Sequence, residues 1–147
     1  MKGVDKITTY SKKHIMSLLK NLFKSSSEEK KAVISNVNWI PLKSLDQLEE
    51  FNQISKKEAV ILFKHSTRCG ISRMVLKSFE KQFDDTMSTL KVYYLDLLNY
   101  RELSSEVGFK YQILHQSPQL LVVKNGIAVE HASHYDITTI DLKAYLV

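Results

Sequence analysis

Cysteine occurs once in this chain of 147 residues, proline twice and glycine four times. A lone cysteine excludes an internal disulfide framework and any zinc site built from several thiolates. It fits a reducing compartment, so a cytoplasmic protein is expected. No contiguous apolar run is long enough to span a bilayer, and no small-residue cleavage site follows the apolar positions near the N-terminus, so neither a spanning helix nor a secretory signal is expected. What remains, 44% hydrophobic and 25% charged residues, suffices for one well-buried core.

The net charge of +5 is unevenly spread. Residues 1–31 hold eight lysines against three acidic residues, whereas the other 116 residues hold 13 basic and 13 acidic side chains. The body is therefore neutral and lacks an aromatic-interleaved basic stripe, so nucleic acid is not an expected partner.

The basic excess sits in a leader, residues 1–35. Ile15, Leu18, Leu19, Leu22 and Phe23 recur at helical spacing opposite lysines, which predicts a short amphipathic helix, and Ser25 to Lys31 reads as a polar linker. Packing on its own domain is the expected role of this helix, with weak contact to a membrane or a partner as the other reading. Met16 opens a compact natural start, so residues 1–15 read as a start-site extension. The body then spans 36–147.

Within the body, Asn36 to Leu42 reads as a short strand at a sheet edge, because Pro41 cannot donate to a ladder. Ser44 and Gln47 fit a capping box, and Leu45, Leu48, Phe51 and Ile54 give the next helix its inward face. Ala59 to Phe63 is a continuous apolar run, the pattern of a strand covered on both sides. A helix with Ile71, Val75, Leu76, Phe79 and Phe83 inward follows. Leu90 to Leu97 predicts a strand, Tyr100 to Val107 a short helix closed by Gly108, and Gln119–Lys124 and Ile127–Ala132 a hairpin through Asn125-Gly126. A last helix is expected from Ile137 to Leu146, capped by Asp136 or Thr138.

Cys69 falls at the corner between the buried strand and the helix after it. The N–H donors and partial positive charge of a helix N-terminus favour a thiolate, and no Asp or Glu occurs between Ala59 and Phe79, whereas Lys64, Arg68, Arg73 and Lys77 do. At an ordinary thiol pKa near 8.5 only about 3% is ionised at pH 7, so lowering it to about 7 multiplies the thiolate roughly fifteenfold. The rate gains less, because nucleophilicity falls with pKa. The alternative is a buried, inert cysteine among solvated basic residues.

Phe63-Lys-His-Ser-Thr-Arg-Cys-Gly-Ile-Ser72, Ser117-Pro118 and Lys124-Asn-Gly126, in a β-α-β-α-β-α-β-β-α order, resemble the active-site corner, the cis proline and the hairpin of the thioredoxin fold over residues 36–147. The expected class is thus α/β, thioredoxin-like, with a mixed central sheet flanked by helices and an N-terminal amphipathic helical extension. Together with Leu95-Asp-Leu-Leu-Asn-Tyr-Arg101 and Ser117-Pro-Gln119, the corner most resembles the YtxJ family of the bacillithiol system, the monothiol bacilliredoxins.

That resemblance implies a cytoplasmic thiol–disulfide oxidoreductase that takes bacillithiol, or another low-molecular-weight thiol, off S-thiolated client proteins without a metal. It makes Cys69 the nucleophile and puts Ser72 where dithiol relatives keep a resolving cysteine, able to donate a hydrogen bond to the thiolate but not to form a disulfide. It also places Thr67, Arg68, Gly70, Ser117 and Pro118 against the substrate, with Pro118 and the Ser117 backbone aligning the disulfide. Gly70 departs from the proline that members often carry. Arg68, and less directly Arg73 and Lys77, offer counter-charge to a carboxylate-bearing thiol.

His65 reads as a hydrogen-bonding residue of the sheet rim rather than a base, and His115, His131 and His134 show no metal spacing. Two other functions are kept. Cys69-Gly-Ile-Ser72 is one residue from the Cys-Gly-Phe-Ser of monothiol glutaredoxins, which suggests an iron–sulfur carrier. A non-catalytic thioredoxin-like docking module is the third reading.

Overall fold

A computed structural model describes residues 35–147. The expected amphipathic leader helix and the reading of residues 1–15 lie outside the described residues. Five strands form one mixed sheet: β1 Trp39–Pro41, β2 Val60–His65, β3 Lys91–Asp96, β4 Gln119–Lys124 and β5 Ile127–Ser133, in the order β1-β3-β2-β4-β5. β1, β3 and β2 run parallel, while β4 and β5 are antiparallel to their neighbours. β1 is the edge strand that Pro41 requires.

Helices α1 (Leu45–Ser55) and α3 (Arg101–Tyr111) cover one face of the sheet, and α2 (Gly70–Glu80) covers the other. The period-two alternation of β2 assigns its side chains. Ile61 and Phe63 join Val75 and Phe79 of α2, whereas Val60 and Leu62 join Leu48 and Phe51 of α1 with Leu103 and Val107 of α3. Every residue of β2 is buried, as expected of a central strand.

Local signals set the element ends. The Ser44 side chain accepts from the Gln47 N–H at 3.2 Å, and Gln47 reaches back to the Lys43 N–H at 2.7 Å, one residue before the box predicted. Asn125 and Gly126 both take positive φ, 55° and 77°, the geometry of a tight hairpin turn.

Four expectations need correction. Leu45 and Ile71 are 61% and 46% exposed, so the inward face of α1 begins at Leu48 and that of α2 at Ser72, with Val75 its first buried apolar residue. Gly108 does not close α3, which continues to buried Tyr111 and ends on left-handed Gln112. A Cβ at position 108 would lie 3.0 Å from the Ile113 carbonyl oxygen, so glycine serves the returning chain rather than the helix end. The last helix is replaced by two 3-10 turns, His134–Thr139 and Leu142–Tyr145, with Ile140 extended between them. β-Branched Ile137, Thr138, Thr139 and Ile140 disfavour an α-helix, and both threonine hydroxyls donate to carbonyls three residues back. Ile137, Ile140 and Leu142 still pack on the α2 face.

Candidate active site

Cys69 is the N-cap of α2, with extended dihedrals of −96° and 123°. Its N–H donates to Ser66 O and its carbonyl accepts from the Arg73 N–H, both at 3.1 Å, so the backbone of the corner is fixed on each side of the sulfur. Cys69 is partly exposed, and its side chain makes no capping hydrogen bond. Thr67, Arg68 and Gly70 are exposed around it, and nothing lies within 4 Å of a Cβ built on Gly70.

The Ser117–Pro118 peptide is cis, as the resemblance implies. Lys64 pairs with Gln119 in the β2–β4 ladder, so Cys69, five residues beyond Lys64, and Pro118, one before Gln119, emerge at the same end of the sheet. Pro118 is buried, and its carbonyl accepts from the His134 N–H at 3.0 Å, which ties the proline loop to the first 3-10 turn. Gln119 holds the loop from below, its Nε2 donating to Leu114 O at 2.9 Å.

Ser72 has a different task from the one expected. It is fully buried, accepts from the Ser66 N–H at 3.1 Å and lies 2.7 Å from His65 Nδ1. With its oxygen taken by Ser66, the arrangement that uses every donor has the Ser72 hydroxyl donating to Nδ1 of a neutral His65. Burial lowers the His65 pKa first, with Arg73 adding to it and Asp96 and Glu80 opposing, which fits that neutral form. The hydrogen bond expected from Ser72 to the thiolate gives way to this buried pair, and His65 is the rim residue the sequence suggested.

Lys64 also departs from expectation. The alternation of β2 puts it on the α1 and α3 face, away from α2 and from the cations Arg68, Arg73 and Lys77. It is fully buried, donating to His115 Nδ1 at 2.9 Å and Gln119 Oε1 at 3.2 Å, and burial pulls its pKa down to about 8. Sequence reasoning missed this contact, which spans 51 residues. The available signal was position: Lys64 continues the apolar run of a strand covered on both faces. His131 is exposed on β5, and His134 opens the terminal turns at φ 56°.

A partly exposed single cysteine at a helix N-terminus, at the same end of a mixed sheet as a cis proline, defines a monothiol protein of the thioredoxin fold. The family model described as monothiol bacilliredoxin BrxC matches residues 40–142, and the chain belongs to that family, a thiol redox family. A solved candidate oxidoreductase with a thioredoxin fold is 31% identical, with a TM-score of 0.60, covering 73% of this chain and 92% of that one. Thioredoxins of Malassezia sympodialis and Trypanosoma brucei brucei, 21% and 18% identical, both align with a TM-score of 0.56. The first pairing covers 72% of this chain and 85% of that one, the second 74% and 88%, and both speak to the fold alone. Among the described residues no helix is long and apolar enough to cross a membrane.

Proposed function

We propose that this protein is a monothiol thiol–disulfide oxidoreductase that removes a low-molecular-weight thiol, bacillithiol in the reading the family supports, from mixed disulfides on client proteins. The observation that carries this is the partly exposed Cys69 at the α2 N-terminus, at the sheet end that also holds cis Ser117–Pro118. The Cys69 thiolate attacks the small-thiol sulfur of the mixed disulfide. The client–small-thiol S–S bond breaks, the client leaves as a thiolate, and Cys69 keeps the small thiol in a new disulfide. A second small-thiol thiolate then attacks that adduct, releasing Cys69 and a symmetric small-thiol disulfide, so each step exchanges one disulfide for another with no net change in electrons. Thr67, Arg68 and Gly70 border the attacking sulfur, and the Ser117–Pro118 backbone aligns the incoming disulfide.

Ser72 serves this cycle from beneath, through its bonds to Ser66 and His65, and cannot resolve the adduct as a cysteine would. The cycle therefore needs an external thiol. The test is the intact mass of reduced protein after exposure to a bacillithiol-modified client and, separately, a glutathione-modified one. One small-thiol adduct on Cys69, lost in Cys69→Ser, supports the reading, and the larger adduct yield names the thiol. Absence of any adduct would leave docking, and visible absorption of the purified protein would favour the iron–sulfur carrier.

A further inference from the structure

At the start of α3, on the sheet face that α1 and α3 cover, a cavity of about 330 Å³ is lined by Leu97, Leu98, Arg101, Ser104, Ser105 and His115. No carboxylate lines it. Asp96, on the adjoining strand end, spends its oxygens on the N–H groups of Leu98 and Asn99 and on the Asn99 side chain, while Glu102 and Glu106 line a neighbouring cavity that shares Leu98 and Arg101, and neither forms a salt bridge with Arg101.

Each polar side chain that remains can donate a hydrogen bond. An ammonium group has no lone pair to offer, so His115 Nδ1 must accept from Lys64 Nζ, and the ring proton must sit on Nε2. His115 is thereby fixed as a donor from its far nitrogen, polarised by the buried charge behind it. Burial and the Lys64 charge both lower the His115 pKa, which keeps this tautomer neutral. Ser104, 4% exposed, carries a hydroxyl with no hydrogen-bond partner among the described residues, an unusual state for a buried polar atom. Arg101 adds a guanidinium at the first turn of α3, whose N-cap, Tyr100, makes no side-chain cap. Ser105 contributes little, because its hydroxyl donates to Arg101 O at 3.1 Å.

We infer that this cavity is an anion site that takes a carboxylate group, held by the Arg101 guanidinium and His115 Nε2–H and met by the Ser104 hydroxyl once that side chain rotates out of its sealed position, with the buried Lys64 ammonium behind them. A cavity with no carboxylate in its lining, backed by a lysine that bonds only His115 and Gln119, suits a ligand that brings negative charge and acceptor oxygens. The placement supports a role in docking: Leu97 N–H donates to His65 O at 3.1 Å, and His115 lies three residues before Pro118, so the cavity adjoins the end of the sheet that carries Cys69. The inference deepens the proposed function by giving the substrate's carboxylate a place to rest. Binding itself does not need the thiol.

The experiment is a titration of the full chain with malonate, at constant ionic strength, following the His115 ring resonances by NMR, with the neutral diamide malonamide as control and His115→Phe to assign the signal. The expected result is a saturable shift with malonate, none with malonamide, an affinity about tenfold weaker in Arg101→Gln, a loss in Ser104→Ala, and unchanged binding in Cys69→Ser. Absence of a saturable shift in the wild type, or one that both Arg101→Gln and Ser104→Ala leave intact, overturns the inference. Displacement of malonate by oxidised bacillithiol assigns the site to the small thiol, and displacement by a glutamate-containing peptide instead assigns it to the client. Binding retained in a protein that never forms an adduct on Cys69 upholds this site while removing the exchange reading.

Discussion

Ser72 Oγ lies 2.7 Å from His65 Nδ1, and both residues are buried beneath the corner that carries Cys69. The same oxygen accepts from the Ser66 N–H, so one hydroxyl joins the end of β2 to the first turn of α2. Ser72→Ala removes the acceptor of one group and the donor of another. A buried polar group left unpaired costs about 1–3 kcal/mol, so the variant is expected to lose stability on that scale, read as a lower urea midpoint with an unchanged slope. An unchanged midpoint would mean that water replaces the hydroxyl.

Gly70 stands at the first position of α2 with open space where a Cβ would go and no positive φ. Its N–H belongs to the first turn, which has no intrahelical partner, and Cys69 before it is already extended, as a residue preceding proline must be. Gly70→Pro is therefore expected to stabilise the fold by about 0.4–1 kcal/mol through the unfolded chain, raising the midpoint of thermal unfolding. A lower midpoint would show that the Gly70 N–H or its φ matters in the native corner.

The extent to which the sequence disclosed these features follows from the range of the interactions. The buried run from Ala59, the Ser44 cap, Pro41 at the edge and Asn125-Gly126 are local signals, and each strand or turn they announce is present. The cysteine's place at the strand-to-helix corner is also a local pattern. The His65–Ser72 bond was one step further: both residues lie in the motif, but only the twist of the corner turns the serine inward. Lys64 and His115 meet across 51 residues, and a lysine followed by His65 and, four residues on, by Arg68 reads in sequence as surface charge. The terminal turns were misread because Ile137, Ile140 and Leu142 space like a helix, although their β-branched neighbours and threonine hydroxyls favour tighter turns.

Arg68 precedes Cys69 and is exposed, so its charge acts on whatever approaches the sulfur. Through solvent such a charge contributes modestly and is screened by salt. Arg68→Gln is expected to slow exchange with a carboxylate-bearing disulfide by about threefold to tenfold at low salt, while exchange with a neutral aliphatic disulfide changes little. Stopped-flow rates at two salt concentrations separate the cases. An equal loss with both disulfides would assign Arg68 to the thiol itself rather than to the substrate.

Lys64 gives the fold a pH dependence of definite sign. Its pKa is near 8 in the folded protein, by burial, against an ordinary lysine value of 10.5 in the unfolded chain. Between those values the unfolded state binds more protons, so stability rises with pH; below about 8 both states are protonated and the full cost of the buried ammonium remains. By its pKa that cost is on the order of 3 kcal/mol near neutrality, and it is recovered as pH climbs from about 8 toward 10. Tyr145, its pKa raised to about 12 by burial and by Glu130, acts with the opposite sign above pH 10, so the rise is confined to that window. Lys64→Met keeps the length of the stem and removes the titration. Urea unfolding at pH 7, 8.5 and 9.5 is expected to show wild-type stability climbing toward that of the variant, whose own profile is flatter across this range. Parallel profiles would mean that Lys64 titrates alike in both states and that its charge is solvated in the native protein.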